Sequence, residues 1–141
     1  MIVIRKAKIG DVKACHELSK IRELLPADKQ PISLKYFQEI VVDKRNIFLV
    51  AEENKKIIGY STADLLAGRL VIWQLLAVHP DYQNKGIGKQ LAKRIESEVK
   101  KRGYKYILGY APQFNKKTLA FHKSLGFQFG EKMFEILKII N

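Results

Sequence analysis

A glycine-containing segment, Gln-Asn-Lys-Gly-Ile-Gly at residues 83–88, joins an apolar run at residues 70–78 to an amphipathic helical pattern. Glycines at a strand-to-helix joint let the backbone turn its amides toward a ligand, at the end of the helix that carries the positive dipole. Such a joint is suited to binding phosphate groups. Gly86 and Gly88 also fit an ordinary tight turn, so the surrounding residues must decide between the two interpretations.

The residues on both sides of the glycines favour the phosphate interpretation. His-Pro-Asp-Tyr at residues 79–82 precedes the joint, and a basic amphipathic helix follows it. This order resembles the acetyl-coenzyme A signature of the GNAT superfamily of N-acetyltransferases, without a gap over residues 76–94. The dinucleotide-binding fingerprint differs, because its three glycines follow G-x-G-x-x-G, and a P-loop ends in Gly-Lys-Ser/Thr, which this segment lacks.

The resemblance implies a binding mode for acetyl-coenzyme A as co-substrate. In the family, the strand before the joint diverges from the next strand, the pantetheine arm pairs with the exposed backbone, and the pyrophosphate lies on the amides of the joint. Lys85 and Lys89 fit a phosphate role or an exposed helix face about equally, and Asn115 fits a position near the pantetheine or a helix cap. The cofactor-binding residues implied are Leu76, Ala77, Val78, Gln83, Asn84, Lys85, Gly86, Ile87, Gly88, Lys89 and Asn115.

Gln74 is the first candidate for a catalytic role. An alkyl amine with a pKa near about 10 is almost wholly protonated at neutral pH, so acetyl transfer requires loss of a proton. Many relatives carry a glutamate on the strand before the joint, but residues 70–77 contain no carboxylate. Strand alternation predicts that Gln74 shares a face with Ile72, Leu76 and Val78 and is the polar residue there. It can orient a water or the amine, or simply bond to neighbouring backbone.

His122 is the second candidate. Residues 115–127 resemble the second motif of the family, in which a tyrosine commonly stands where this chain has His122. The tyrosine often protonates the leaving thiolate in relatives, and imidazole is chemically able to do so. A packed, hydrogen-bonded histidine is the alternative. The resemblance also implies that the amide of Val78 stabilises the oxyanion.

Strand and helix patterns predict the elements that position these residues. A helix that begins after Gly10-Asp11 and is ended by Pro26 precedes a loop at 26–31 and a helix capped by Ser33. A crossover helix at 86–102 should make the strands on either side of it parallel, while short polar turns predict antiparallel hairpins. The strands are predicted at residues 2–7, 46–52, 57–65, 70–78, 104–110, 127–129 and 133–140, and a last helix at 118–125 is closed by Gly126.

The predicted fold class is α/β (α+β), with a mixed, mostly antiparallel central sheet flanked by helices in the order βααβββαβαβ, which is the order of the GNAT fold. The 141 residues fit one domain, residues 1–141. Residues 26–42 and the ends of several strands are expected to line the acceptor cleft. The acceptor is expected to be a small-molecule or peptide amine, and a homodimer is left open.

Composition and motifs argue against several other classes of protein. Lys and Arg number 26 against 14 acidic residues, a formal net charge of +12, but no helix-turn-helix, aromatic RNA motif or zinc finger supports nucleic-acid binding. Cys15 stands alone, the three histidines lack metal-ligand spacing, and no apolar run approaches the roughly 18 residues of a membrane span. A cytoplasmic protein without a metal is expected. The two leading hypotheses are a direct N-acetyltransferase and a non-catalytic acyl-coenzyme A binding module of the same fold.

Overall fold

The computed structural model describes residues 1–26 and 29–140, so residues 27 and 28 of the predicted loop at 26–31 lie outside the described residues. The chain divides into two compact units, Met1–Tyr110 and Ala111–Asn141. The expectation of one domain over the whole chain stays a prediction. None of the described helices is long and apolar enough to cross a membrane.

The first unit is built on a five-stranded sheet in the order β1-β2-β3-β4-β5. Neighbouring strands are antiparallel from β1 to β4, whereas β4 and β5 are parallel. The mixed, mostly antiparallel sheet is therefore confirmed, as is the parallel crossover. The strands are β1 Ile2–Lys6, β2 Asn46–Glu53, β3 Lys56–Leu65, β4 Leu70–Val78 and β5 Tyr106–Gly109.

Three helices belong to this unit: α1 Val12–Ser19, α2 Leu34–Val42 and α3 Ile87–Lys101. Ser33 caps α2 as expected, because its hydroxyl oxygen accepts a hydrogen bond from Tyr36 N at 3.1 Å. The prediction that the first helix continues to Leu25 is wrong. Ser19 Oγ donates to His16 O at 2.7 Å, in competition with the helix backbone, and a short 3-10 turn, Arg22–Leu24, follows.

The two faces of the sheet are covered by different helices. Tyr60 of β3 lies 5.3 Å, ring centre to ring centre, from Phe37 of α2, within a buried cluster that also includes Cys15 of α1. Gly59 points to the opposite face, where a β-carbon on it would lie 3.5 Å from Leu91 of α3. The predicted apolar stripe of α3 is buried there. The joint at the start of α3 is therefore anchored by a packed helix.

A β-bulge interrupts β4 at Gln74. Leu75 pairs with Thr62 of β3, but the next pair is Trp73 with Ala63, so Gln74 is an extra residue without a partner on β3. The expected common face of Ile72, Gln74, Leu76 and Val78 is therefore wrong. Pairing with β3 places Leu76 and Val78 on the α3 face, opposite Ser61 and Gly59, whereas Ile72 lies opposite Asp64 on the α2 face.

The second unit contains one helix, α4 Lys116–Ser124. Gly126 closes it in the left-handed conformation with a φ of 89°, as predicted, and Phe127 N donates to His122 O at 3.1 Å. Within the second unit, residues 111–140 contain no strand, so the strands expected at 127–129 and 133–140 are not found there. Phe134 and Ile136 are almost fully exposed.

Candidate functional site: a strand end and a backbone amide cradle

The joint between β4 and α3 is a short, internally hydrogen-bonded turn. Pro80–Tyr82 forms a single 3-10 turn, in which the His79 Nδ1 atom accepts a hydrogen bond from Asp81 N at 3.1 Å. Tyr82 N donates to His79 O at 2.8 Å. His79 therefore acts within the turn as a cap, which explains why a histidine and a proline stand at the end of β4.

The glycine segment presents backbone amides at the N-terminus of α3. Asn84 and Gly86 both lie in the left-handed region, with φ values of 61° and 81°. Backbone that alternates in this way can turn successive amides toward one point, as in the nests that bind anions. The first hydrogen bond of the helix joins Gln90 N to Gly86 O at 3.0 Å, so the amides of Ile87, Gly88 and Lys89 precede the helical ladder.

The space around Gly86 is open. A β-carbon built on Gly86 would meet no atom within 4 Å, and Gly86 is exposed. The Ile87 side chain, in contrast, is buried, so only its backbone faces the cradle. Lys85 and Lys89 are exposed beside it, with Lys85 Nζ 5.3 Å from the centre of the Tyr82 ring. The residues predicted for phosphate binding are therefore brought together at one helix end.

The Gln83 side chain makes a hydrogen bond across the turn, and the expected role of this residue at the cofactor stays a prediction. Its Nε2 atom donates a 2.9 Å hydrogen bond to Val78 O, across the turn. The side chain is therefore directed at the end of β4, and it fixes the joint on the strand. Val78 itself is buried on the α3 face.

β4 separates from β5 halfway along its length. The two strands pair from Leu70 with Tyr106 to Trp73 with Gly109, where β5 ends. Among the described residues, β4 has no partner strand on that side from Gln74 to Val78. The bulge at Gln74 falls where pairing stops, and bulges bend a strand and increase its twist.

His79 N donates to Ile58 O of β3 at 2.8 Å, and successive strand residues point their backbone groups to opposite neighbours, so those of Ala77 face β3 and those of Leu76 and Val78 face the β5 side. Val78 O already accepts from Gln83 Nε2, which leaves the Val78 N–H and the backbone of Leu76 on that side. The expected pairing with pantetheine stays a prediction.

Two basic residues of α3, Arg94 and Lys101, are paired with a carboxylate of the same helix. Glu98 is buried on α3 and accepts a hydrogen bond from Arg94 Nε at 3.2 Å, with Lys101 Nζ 3.7 Å away. Burial raises the pKa of Glu98, but the hydrogen bond from Arg94 and the charge of Lys101 outweigh it and leave this pKa below the ordinary value. Glu98 therefore remains charged and pairs with Arg94 and Lys101.

A polar cluster that sequence analysis missed lies on the other face of the sheet, at the bulge. Asp64 of β3 accepts hydrogen bonds from Gln74 Nε2 at 2.9 Å and from Asn46 Nδ2. Tyr36 of α2 is half-buried nearby; burial and then the charge of Asp64 raise the pKa of its phenol. The one available signal was a single carboxylate, Asp64, inside a predicted strand. The bulge that brings Gln74 to it has no signature in the sequence.

Asn115 and His122 belong to the second unit, and their expected roles at the cofactor stay predictions. Asn115 Oδ1 accepts a hydrogen bond from Thr118 N at 3.0 Å and so caps α4, in agreement with the alternative for this residue. His122 is half-buried, and its Nδ1 lies 2.8 Å from Thr118 O. Since a carbonyl oxygen only accepts, Nδ1 carries the proton. No group of three or more metal-ligating side chains occurs among residues 1–26 and 29–140.

Curated proteins similar to this chain are acyltransferases. An amino-acid acetyltransferase of Pseudomonas putida (strain GB-1) is 30% identical over 151 aligned positions, which cover 94% of this chain and 33% of the relative. An L-amino acid N-acyltransferase, MnaT, of Escherichia coli (strain K12) is 32% identical over 83 positions, 56% of this chain and 48% of the relative. The chain thus spans about a third to a half of the length of these relatives.

A solved structure and a family model agree with this likeness. The PaiA N-acetyltransferase of Thermoplasma acidophilum, in complex with coenzyme A, superposes with a TM-score of 0.84 at 21% identity and covers 94% of this chain and 93% of that chain. Its likeness shows the fold. The family model described as Acetyltransferase (GNAT) family matches residues 14–127, which include the diverging end of β4 and the amide cradle. On this match, the chain belongs to the GNAT family of acetyltransferases.

Proposed function

We propose that this chain transfers the acetyl group of acetyl-coenzyme A to a primary amine of a small molecule, by direct attack in a ternary complex. The observation that carries the proposal is the continuity of two features. The unpaired side of β4 from Gln74 to Val78 leads, through one turn, into the amide cradle at Gly86. A long ligand with an amide-containing arm and a pyrophosphate matches both features at once.

The residues of the chain would hold that ligand by backbone contacts. The backbone of Leu76 would pair with the arm, as an additional strand would, and the Val78 N–H faces the same side, whereas Ala77 between them faces β3. The amides of the cradle, from Gln83 to Lys89, would bind the pyrophosphate, supported by the positive end of α3. Lys85 and Lys89 add charge at the rim, and the ligand supplies an activated thioester when bound.

Acetyl transfer requires stabilisation of negative charge on the thioester oxygen, a proton for the sulfur and an acceptor for the proton of the amine. The amine nitrogen forms a bond to the thioester carbon, the carbon–sulfur bond breaks, the amine loses a proton and the sulfur gains one. A backbone amide at Val78 would stabilise negative charge on the thioester oxygen. His122 is proposed as the donor of a proton to sulfur, on the strength of its position in the second family motif; since Nδ1 donates to Thr118 O, the proton would leave from Nε2 of the imidazolium form. Water accepts the proton from the amine.

The acceptor is proposed to be an amino acid or another small cationic amine, because similar curated proteins bear amino-acid names. A panel of amino acids, polyamines, aminoglycosides and a peptide amine tests this, with free thiol release and product mass as readouts. Acetylation of at least one small amine is expected. Binding of coenzyme A without turnover on any member would instead support the non-catalytic binding module, and no binding would overturn both.

A further inference from the structure

Within residues 1–26 and 29–140, Asp64 is a carboxylate without a cationic partner, in a strongly basic chain. Each of its oxygens accepts a hydrogen bond from a neutral amide, one from Asn46 and one from Gln74. Among the described residues no Lys, Arg or His forms an ion pair with it, although the chain has 26 Lys and Arg against 14 acids. Two neutral donors orient the carboxylate and leave its negative charge uncompensated.

The Asp64 carboxylate can also accept a hydrogen bond from a further donor. An ionised carboxylate has about four lone-pair sites, of which these two amides occupy two. Asp64 is half-buried, and Gln74 beside it is exposed, so the group is reachable from solvent at the bulge. The Tyr36 ring on α2 lies near the same charge. A small cation with several N–H donors is the kind of ligand that this arrangement accommodates.

The hydrogen bond with Gln74 places Asp64 near the start of the proposed acetyl-donor site. Gln74, which holds one oxygen of Asp64, is the first residue of β4 beyond the last pair with β5. It therefore stands at the beginning of the unpaired stretch along which the donor would lie. Asp64 is on the α2 face of the sheet, in line with Thr62 and Tyr60, so an acceptor there would approach from the side of α2.

We propose that Asp64 is the acceptor-binding anion of this chain, that Gln74 and Asn46 position it, and that it selects protonated primary amines over neutral ones. This inference rests on the proposed acetyltransferase function and names its acceptor class. An ordinary carboxylate is a far weaker base than an alkyl amine, so the role of Asp64 is to bind and place the ammonium. The proton then leaves to water, and no covalent step passes through Asp64.

The test compares Asp64→Asn with wild type and with Asp43→Asn, a matched change at an exposed carboxylate that pairs with Arg45. Substrates are the best alkyl amine of the panel and an aromatic amine that is neutral at pH 7. In Asp64→Asn, the KM for the alkyl amine is expected to rise about tenfold or more, the cost of a lost charged hydrogen bond. The KM for the aromatic amine and the Kd for coenzyme A should not change, and Asp43→Asn should behave as wild type.

Gln74→Met keeps the charge of Asp64 and removes one of its positioning donors, at an exposed site where folding is not at risk. We expect a smaller rise, roughly threefold, again confined to the alkyl amine. Unchanged KM values in both variants would overturn the inference while leaving the acetyltransferase proposal intact. Equal losses for both amines would also overturn it, since they would indicate a structural role. Failure of the wild type to acetylate any amine would instead refute the proposed function.

Discussion

Gln83 Nε2 donates a 2.9 Å hydrogen bond to Val78 O and so ties the loop before α3 to the last residue of β4. Both ends of the proposed ligand site depend on this contact, because the strand holds one part of the site and the loop holds the other. We expect Gln83→Ala to weaken coenzyme A binding about fivefold, the equivalent of one neutral hydrogen bond. Calorimetric titration measures this, and Gln90→Ala, an exposed change on α3, should leave the Kd unaltered.

Gly86 and Gly68 form a matched pair for testing the cradle. Both are left-handed, with φ values of 81° and 78°, and a β-carbon on either would lie in open space. Replacement by valine should therefore destabilise the protein similarly at both sites, by at least ~1 kcal/mol from the backbone conformation alone. Only Gly86→Val should abolish coenzyme A binding. Equal affinities in the two folded variants would show that the cradle does not bind the ligand.

His122 has a natural control in His16. Each is half-buried, and each has its Nδ1 atom 2.8 Å from a backbone carbonyl oxygen, Thr118 O or Ile32 O. If His122 protonates the thiolate, His122→Phe should lower kcat by about 100-fold or more with little change in the Kd for coenzyme A. His16→Phe should cost stability alone. Comparable kcat values per folded molecule, with the folded fraction from circular dichroism, would assign His122 to packing.

Cys15 should be chemically silent in the folded protein. Burial raises the pKa of its thiol to about 12, so at pH 8 only about one molecule in ten thousand carries the reactive thiolate. A disulfide reagent should titrate no thiol in the native protein and one equivalent in denaturant. Ser124→Cys, at an exposed position, supplies a native-state positive control. Rapid native labelling of Cys15 would contradict its placement, and its silence means that thiol-release assays report coenzyme A alone.

The ion network around Arg5 predicts a loss of stability in acid. Arg5 donates to both oxygens of Asp11, at 2.7 and 2.9 Å, and its Nε donates to Glu52 at 3.2 Å. The hydrogen bond from Arg5 lowers the pKa of Asp11, although burial acts the other way. The stabilisation from Asp11 is therefore complete above its unfolded pKa of about 3.9 and is lost as the pH falls through the lower folded value.

Urea unfolding between pH 2 and 6 tests the direction of this pH dependence of stability. The free energy of unfolding of the wild type should fall on acidification below about pH 4 more steeply than that of Asp11→Asn. Glu39→Gln serves as control, because the Glu39 carboxylate and Lys35 Nζ are 3.9 Å apart on an exposed helix face. Parallel pH profiles for wild type and Asp11→Asn would contradict the network.

The local part of the site was predictable from sequence because its causes are local. The left-handed glycine at residue 126, the apolar stripe of α3 and the parallel crossover all follow from short-range patterns, and each is confirmed. The limit of α1 was missed because Ser19 bonds back to His16, which periodicity does not register. Asp64 was missed because its meeting with Gln74 depends on the register between β3 and β4, set by the packing of two helices and a sheet.

The bulge at Gln74 makes β4 tolerant of a change in side chain and intolerant of a change in length. Residues 71–73 and 75–78 both pair with β3, but the extra residue between them shifts by one position which side chains face which side of the sheet. A different side chain at position 74 leaves the pairing of both halves of β4 with β3 in place. Deleting the residue would shift one half of β4 by one position, so that its side chains would point to the opposite face of the sheet. The Trp73 indole would then turn away from Ser61 Oγ, to which it donates at 2.8 Å. Among functional relatives of this chain, gaps should therefore be rarer than substitutions at this position.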